Sequence, residues 1–556
     1  MRTTRTLAAM LALALATAAL AQEDPHAACT AMAWVPPEIL ERPTTQQEGT
    51  GNSTDVATTS SKEALALYRQ GVNYLHGYVW IEAARSFNQA LRADPEMALA
   101  YWGLSRTYSG LDDHEAAIQA AKRAKELATK ATPREQRRID LRLQQLEAIA
   151  DLGNSARHAA YKAAIDKALV PDFSDPELWL IRGNSEEPTA AGRGQRGAAA
   201  SVAFYMQVLQ LEPDNAAAHH YLIHSYEQLS QIDRALEHGE KYAGLAPTIP
   251  HAHHMWGHDL RRVGRIDEAI AAFKRTDDLE NTYYTRERIP PDLDWHHVHN
   301  MDLLATSYEH KGQLRTAESL LRKAAGFPAP TEYQEFNQKS LAVFLLGRQR
   351  WRDALEATKV LTNGKGAATR VVGHTLAGHA QLGLRSTAQA HASLDAAQRE
   401  LENVPMLTAG IRVNRAAVLP YIDALRAELL LREGKLAEGE TLLKDVQARL
   451  RALPGPDAWT QALFRLEAFA RTARDVGNWQ LAEHTARQML DHDNAYGGSH
   501  LALALVARQR GDAELARTEA AAARKYWQDA DRGMQELSEV RALESADRRA
   551  AQLLSQ

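Results

Sequence analysis

The chain has 556 residues, of which 45% are hydrophobic, 24% charged and 6% aromatic. Lys and Arg number 65 against 70 Asp and Glu, a formal net charge of -5. With no basic excess and no long cationic run, a nucleic-acid partner is not expected. Only one apolar run approaches the length of a membrane span, which excludes a multi-span membrane protein.

That apolar run lies at the N-terminus. Arg2 and Arg5 precede an Ala- and Leu-rich stretch over residues 7–20, which ends in small residues at the -3 and -1 positions. This pattern predicts a signal peptide over residues 1–21, cleaved before Gln22. The mature chain is then expected to be periplasmic or secreted, with no transmembrane span.

Residues 22–61 form an extended lead, rich in Pro, Gly, Ser and Thr. Cys29, within it, is the only cysteine, so neither an internal disulfide nor a thiolate metal cluster is expected. Any metal must be held by His, Asp, Glu or Asn. From Lys62 onward Ala and Leu recur with Glu, Arg and Gln, and the periodicity predicts helices throughout.

A 34-residue interval organises the helical part of the chain. The first unit is marked by small and aromatic residues: Gly71, Tyr74, Trp80, Ala83, Phe87, Ala90 and Pro95. This pattern resembles the tetratricopeptide repeat, a helix–turn–helix unit in which small residues let two helices approach closely.

The same register returns along the chain. Units open at Ala98, Ala216 and Pro250 and near Val298. Later units are anchored by Gly312, Trp351, Gly434, Gly477 and Gly511. We therefore predict an all-α superhelical solenoid of tetratricopeptide repeats with roughly ten helix pairs.

The predicted array divides into two parts and carries two interruptions. Residues 62–330 form an N-terminal array with a His-rich groove, and residues 331–556 form a degenerate C-terminal array. The period breaks at residues 184–197 and 280–294, and insertions in solenoids map to loops.

Histidines concentrate on two first helices of this array. Of 22 His in the chain, 11 lie between His219 and His299. His220 and His224 are four residues apart, as are His254 and His258, and the two pairs are separated by one 34-residue repeat. Residues four apart share a helix face. In the repeat register, both pairs take positions 5 and 9, which face the groove in tetratricopeptide proteins.

We therefore expect the four imidazoles to meet on the groove wall and bind one divalent metal ion, with zinc or copper favoured over iron. His251, His299 and Asp302 are possible additional ligands. Two alternatives stay open: a polar groove that binds a peptide or an anion, and plain packing of the rings.

The segments Ala218–His224 and His251–His258 resemble those of a group of bacterial tetratricopeptide proteins with signal peptides. Members carry a His-Tyr segment that ends in His, followed by a His-Met-Pro-Ser/Gly-His segment. This chain has Trp256 where the group usually has Pro. The resemblance implies His220, His224, His254 and His258 as the shared set.

Two functions are compatible with these features. An exported scaffold would bind a protein or peptide partner in its concave groove, with the histidines as a metal site. Alternatively, the solenoid would carry a metal-dependent enzyme, a hydrolase or an oxidase. For that case Glu186 or Glu187 is the candidate general base, and Arg262 is a candidate to hold a substrate anion.

Overall fold

The structure, a computed structural model, describes residues 34–196, 199–329, 332–405, 414–453 and 456–554. Within these ranges the regular secondary structure is helical and no strand occurs. The predicted signal peptide, its cleavage site and Cys29 fall outside the described residues. None of the helices in the described ranges is both long enough and apolar enough to span a membrane.

Helices follow one another as hairpins, as the repeat predicts. The first half of the chain contains a short helix in the lead and seven hairpins. They are α1 (Pro37–Leu40), α2 (Lys62–His76), α3 (Trp80–Ala93), α4 (Ala98–Gly110), α5 (His114–Leu127), α6 (Pro133–Ile149), α7 (Ser155–Leu169), α8 (Pro176–Asn184), α9 (Ala199–Leu211), α10 (Ala216–Gln228), α11 (Ile232–Leu245), α12 (Pro250–Arg262), α13 (Ile266–Glu287), α14 (Trp295–His310) and α15 (Leu314–Ala325).

The second half continues in the same way. Five further hairpins stand between one short helix and one terminal helix, so the described chain holds twelve hairpins against the roughly ten predicted. These helices are α16 (Glu332–Asn337), α17 (Ser340–Gly347), α18 (Trp351–Thr362), α19 (Ala367–Gly383), α20 (Thr387–Leu401), α21 (Arg415–Arg432), α22 (Leu436–Arg451), α23 (Pro456–Asp475), α24 (Trp479–His492), α25 (Gly497–Gln509), α26 (Ala513–Tyr526) and α27 (Gln535–Leu554).

Small residues explain the tight pairing of the first hairpins. The Phe87 ring of α3 is fully buried, between Gly71 of α2 and Gly103 of α4. A Cβ on Gly71 would lie 2.6 Å from Phe87 Cε1, closer than van der Waals contact allows. The sequence spacing that predicts the repeat therefore reflects direct packing of one ring against two glycine backbones.

The turns between paired helices require a left-handed backbone. Gly264, Gly312, Gly434, Gly477 and Gly511 all have φ between +72° and +82° at this point of their hairpins. Glycine takes this conformation without the steric cost that a Cβ imposes. These are the positions at which the sequence marks the end of a first helix.

The two predicted interruptions differ in outcome. α8 ends at Asn184 and α9 begins at Ala199, so the first predicted interruption does lie between two helices. At residues 280–294, however, α13 continues to Glu287, and the break begins only at Arg288, which has a φ of +54°.

The lead runs along one rim of the N-terminal array. We call residues 41–61 the N-terminal strap. The Arg42 guanidinium donates to the Glu287 carbonyl. The Thr248 backbone amide donates to the Gly49 carbonyl (3.1 Å), and the Asn52 side chain donates to the Asp214 carbonyl (2.7 Å). These contacts cross the end of α13 and the starts of α12 and α10, so the strap ties distant repeats together.

The first hairpin, α2–α3, closes against α10 in the middle of the array. His76 at the end of α2 lies 2.7 Å from the Tyr221 hydroxyl and 2.9 Å from Glu177 Oε2 of α8. Glu177 also pairs with Arg106 of α4. A buried His–Glu–Arg cluster thus joins four helices that are far apart in sequence.

Glu177 should make stability depend on pH. Burial would raise its pKa, but His76 and Arg106 outweigh burial, and the pKa falls below 4.5. A carboxyl with a depressed pKa stabilises the fold above its unfolded pKa, and this contribution is lost as the pH falls through the folded value. We expect Glu177→Gln to reduce the free energy of unfolding by about 2 kcal/mol at pH 7. Urea unfolding should show that the difference in free energy of unfolding between the wild type and the variant becomes smaller towards pH 3. A difference that does not change with pH would contradict the ion-pair role of Glu177.

The C-terminal hairpins fold back onto the centre of the chain. Asp493 accepts from Arg261 of α12 (3.3 Å) and lies 3.1 Å from His310 Nε2 of α14. The Trp527 indole donates to the His310 carbonyl (3.1 Å). The C-terminal ends of α12 and α14 therefore contact the C-terminal hairpins.

Candidate metal centre

Three first helices, α10, α12 and α14, carry the candidate ligands. Asn215 caps α10 by accepting from the Ala218 amide at 2.9 Å, and Asp294 caps α14 by accepting from the His296 amide at 3.1 Å. α12 begins with Pro250, whose fixed φ suits the first turn of a helix. These starts fix where each helix begins, and so which turn of the helix carries each histidine.

The first histidine group consists of His220, His224 and His251. Its three ligand nitrogens lie within 4.8 Å of one another, and all three side chains are buried. His220 Nε2 lies 3.0 Å from His224 Nε2 and 3.0 Å from His251 Nε2. α10 supplies two members of the group, and α12 supplies the third.

The second histidine group consists of His254, His258 and His299. Its ligand nitrogens also lie within 4.8 Å of one another, and the side chains are buried. His254 Nε2 and His258 Nε2 are 2.9 Å apart, and the His254 and His299 ring centroids are 4.8 Å apart. The structure thus places the four predicted ligands in two groups rather than in one.

His296 stands between the two groups. Its ring centroid lies 5.0 Å from that of His251 and 4.4 Å from that of His254. His296 Nε2 is 3.0 Å from His251 Nδ1, and His296 Nδ1 is 2.5 Å from Glu280 Oε1. The other oxygen of Glu280 lies 2.8 Å from His297 Nδ1. One buried carboxylate therefore supports the histidines at the junction.

Hydrogen bonds behind the rings determine which nitrogens face inward as acceptors. His220 Nδ1 donates to the His76 carbonyl (2.6 Å), because a carbonyl can only accept. His254 Nδ1 donates to Asn300 Oδ1 (3.0 Å), since the amide of Asn300 itself donates to the Phe273 carbonyl. In both rings the Nε2 lone pair then points into its group. Such backing of ring nitrogens is characteristic of metal-ligating histidines.

The distances between the inward nitrogens suit a shared cation. Two Zn–N bonds at a tetrahedral angle separate the nitrogens by about 3.3 Å. The observed Nε2–Nε2 distances are 2.9 and 3.0 Å. Without a cation, a contact at this range is an N–H···N hydrogen bond in which the second ring donates to the Nε2 lone pair of His220 or His254, and a bound cation would take the place of that proton.

Burial favours the neutral, metal-binding form of one imidazole in each group, His251 in the first and His254 in the second. Desolvation, followed by the charges of neighbouring histidines, lowers the pKa of both His251 and His254. For His296 burial also lowers the pKa, but the hydrogen bond and charge of Glu280 outweigh it and raise the pKa. The pKa of Glu280 falls to about 2, because His296 and His297 outweigh its desolvation.

The turn of the first hairpin covers the first histidine group. The Tyr78 ring centroid lies 4.6 Å from that of His220 and 5.2 Å from that of His251. The Tyr78 hydroxyl donates to the Arg193 carbonyl (2.7 Å). Tyr78 adopts a φ of +58°, an uncommon conformation for a bulky residue that costs about 1 kcal/mol or more. The groove wall is therefore closed here by an aromatic side chain that is carried on a strained backbone.

A cavity reaches the histidines from outside. It has a volume of about 140 Å³ and extends from the N-terminal strap to the rings of His251 and His296. Tyr78, Trp80 and Tyr283 line it. A small molecule could approach the junction of the two groups through this cavity, whereas a folded peptide could not.

The other predicted site residues have different surroundings. Asp302 accepts from the Ser340 hydroxyl (3.0 Å), and burial raises its pKa to about 7. Glu186 pairs with Lys162 (2.8 Å) and with Arg182. Among the described residues, neither Glu186 nor Asp302 joins a cluster with metal-ligand spacing.

Glu187 and Arg262 are also engaged elsewhere. The Glu187 carboxylate accepts from the backbone amides of residues 193–195 and so holds the loop after α8 in shape. The guanidinium of Arg262 lies near the Trp459 ring, 5.8 Å from its centroid, and experiences the charges of Glu227 and Asp259. A general-base role for Glu187 would require the loop to open.

Several residues at the site were not singled out from the sequence. Tyr78, His76 and Glu280 have no local signature, since they reach the histidines from other repeats. Glu227, whose Oε1 lies 3.5 Å from His258 Nδ1, occupies an ordinary position on α10. The only sequence signal for Glu227 is that it lies one helical turn beyond His224, and this signal is weak.

Comparisons with known proteins agree with the repeat assignment. Residues 98–130 match the tetratricopeptide repeat family, over the unit predicted to open at Ala98. No curated protein matches the chain.

Solved structures similar to this chain include yeast Tom70, with 13% identity, 88% of this chain and 96% of that chain covered, and a TM-score of 0.33. The APC/C hetero-tetramer Cut9–Hcn1 shares 10% identity over 86% of this chain and 84% of that chain, with a TM-score of 0.34. YrrB, a TPR protein with an unusual peptide-binding site, shares 15% identity over 35% of this chain and 91% of that chain, with a TM-score of 0.25. Residues 98–130 thus match one tetratricopeptide unit, and helical hairpins continue on either side of it, so the described chain is an all-α solenoid.

Proposed function

We propose that this protein is an exported, metal-binding repeat scaffold that holds two transition-metal ions, one in each histidine group. The observation that carries the proposal is the pair of buried three-histidine groups with ring nitrogens backed by His76, Asn300 and the His296–Glu280 pair. All-nitrogen ligation favours zinc or copper over the harder cations. Export follows from the N-terminal signal pattern, and a periplasmic or secreted protein would meet both metals.

Metal loading tests this proposal directly. The mature protein, stripped with a chelator and reloaded with excess zinc or copper, should retain two ions per chain after gel filtration, as measured by inductively coupled plasma mass spectrometry. Three histidine ligands and a solvent position are the usual set for an open zinc site. Retention of no ion at nanomolar free metal would overturn the proposal.

A scaffold role for a protein or peptide partner is part of the same proposal. Solenoids present long concave surfaces suited to extended partners. Because α2–α3 closes the wall at the histidines, such a partner would bind on groove surface that the first hairpin leaves open. The metal ions would then stabilise the curvature of the array instead of touching the partner.

A metal-dependent enzyme is the second candidate, favoured by the cavity that reaches His251 and His296. An enzyme needs an open coordination position that a small molecule can reach. Azide added to the copper-loaded protein should then produce a ligand-to-metal charge-transfer band. Absence of any spectral change at saturating azide would remove the enzyme and leave the scaffold.

A further inference from the structure

A second cavity, separate from the two histidine groups, lies inside the N-terminal array. It is bounded by α3, α4, α6 and the loop after α8, and its volume is about 70 Å³. Four guanidinium groups line it, from Arg106, Arg138, Arg142 and Arg193, and no carboxylate among the described residues does. Its walls are otherwise largely aromatic and apolar.

Three of these cations have acidic neighbours. Arg106 pairs with Glu177. Arg138 pairs with Asp175 at 2.5 Å and with Asp55 of the N-terminal strap at 2.7 Å. Arg193 lies 3.2 Å from Asp112.

Arg142 differs from the other three. It is 4% exposed, and its described hydrogen bonds go only to neutral oxygens, those of Ser105, Ser109 and Gln145. A buried charge without an opposite charge is strongly unfavourable. Burial, and then repulsion by Arg106, lowers the pKa of Arg142 to about 9.

The geometry leaves Arg142 able to bind one more acceptor. Nε donates to Ser105 Oγ, and the two Nη2 hydrogens go to the Ser105 carbonyl and Ser109 Oγ. Nη1 donates one hydrogen to Gln145 Oε1 (2.6 Å) and has a second one left. That N–H belongs to a group that lines the cavity.

The surrounding rings indicate the rest of the ligand. Trp80, Trp102, Tyr161 and Tyr221 line the same cavity. The guanidinium of Arg106 sits over the Trp102 ring, 4.8 Å from its centroid, which keeps that indole face in contact with a cation. An apolar or aromatic body would contact these rings, while one negative charge would balance Arg142.

We propose that this cavity binds a small organic carboxylate, whose carboxylate group pairs with Arg142 and whose apolar body packs against the aromatic wall. Because only the Arg142 guanidinium lacks an opposite charge, the ligand should carry one negative charge. Carboxylates accept from guanidinium in charge-assisted hydrogen bonds, which are the strongest available at such a site. The inference does not depend on metal binding, because none of the six grouped histidines lines this cavity.

Benzoate and its neutral analogue benzamide provide the test. Isothermal titration of the full mature protein, with metal and without it, should show saturable benzoate binding at submillimolar to low millimolar concentration in both cases. Benzamide should bind at least tenfold more weakly. Equal binding of the two, no binding up to 20 mM benzoate, or equal binding of inorganic phosphate would overturn the proposal.

Variants of Arg142 test whether benzoate binds in this cavity. Arg142→Gln removes the charge and should weaken benzoate binding at least tenfold, whereas Arg142→Lys, which keeps the charge, should weaken it less. Arg123→Gln is the matched control, since Arg123 pairs with Glu126 on the exposed face of α5. Unchanged affinity in Arg142→Gln would reject the site.

A crystal of the wild-type protein soaked in 4-iodobenzoate covers the case in which Arg142→Gln fails to fold. The anomalous iodine signal should appear between α4, α6 and the loop after α8. Iodine found only elsewhere, or nowhere, would reject the proposal without reference to any variant.

Discussion

Replacing one histidine in each group should remove one metal ion at a time. The wild-type protein is expected to retain two ions, His220→Ala and His254→Ala one each, and the double variant none. Loss of a direct ligand should cost more than the about 10–100-fold in affinity that loss of a supporting partner costs. Metal content after chelation and reloading, measured by inductively coupled plasma mass spectrometry, gives the count.

The chain offers close controls for this experiment. His219 and His253 are the residues immediately before the two replaced histidines, and their Nε2 atoms lie 3.1 Å and 3.0 Å from the carbonyls of Pro213 and Pro247. His219→Ala and His253→Ala should therefore retain both ions. If the His254→Ala variant retained two ions per chain, or the His253→Ala variant only one, the second histidine group would not bind metal as proposed.

Replacing Phe87 should have the largest effect on stability. Its ring fills the space between Gly71 and Gly103 and lies 5.9 Å from the Tyr68 ring centroid. Glycine backbones cannot collapse into the cavity that Phe87→Ala would leave, so we expect a loss of about 4 kcal/mol. Urea unfolding followed by circular dichroism measures the loss, and hydrogen exchange should place it in α2 and α3.

Phe173→Ala is the matched control for this prediction. Phe173 is 58% exposed, so the same truncation there should cost less than about 1 kcal/mol. Similar losses in the two variants would mean that the first hairpin is not held by the Phe87 packing. Because repeat arrays can unfold in segments, the exchange data decide which hairpin has opened.

Much of the fold could be predicted from local spacing. The helix starts at Ala98, Ala216 and Pro250 agree with the register, because small residues and Pro stand where the backbone leaves one hairpin and enters the next. Turn glycines such as Gly264 mark positions whose positive φ is set by local sterics. Such features depend on neighbours within one 34-residue unit and so are readable in the sequence.

The grouping of the histidines could not be predicted in the same way. Repeat register indicates which helix face His220 and His254 occupy, but not how far each helix is rotated or shifted against the next. His251 of α12 therefore joins the α10 pair, and His299 of α14 joins the α12 pair. The metal assignment itself remains a prediction, as does the signal peptide.

Residues that reach the histidines through the curvature of the array could not be predicted from the local sequence pattern. Tyr78 and His76 reach His220 across 142 and 144 positions of sequence, a distance set by the path of the whole array. Glu187 illustrates the opposite case, since a carboxylate in an irregular loop suggests a general base. In the structure its oxygen accepts from three successive backbone amides and shapes that loop.

The cover supplied by Tyr78 sets an order of events during biogenesis. Its hairpin is synthesised early, but the last of the six histidines emerges more than 200 residues later. Burial of the centre must wait for that late segment, and contacts of such long sequence separation form slowly. Newly made chains therefore pass through a stage in which the imidazoles are open to solvent, and under the proposed function this is the stage at which metal would enter.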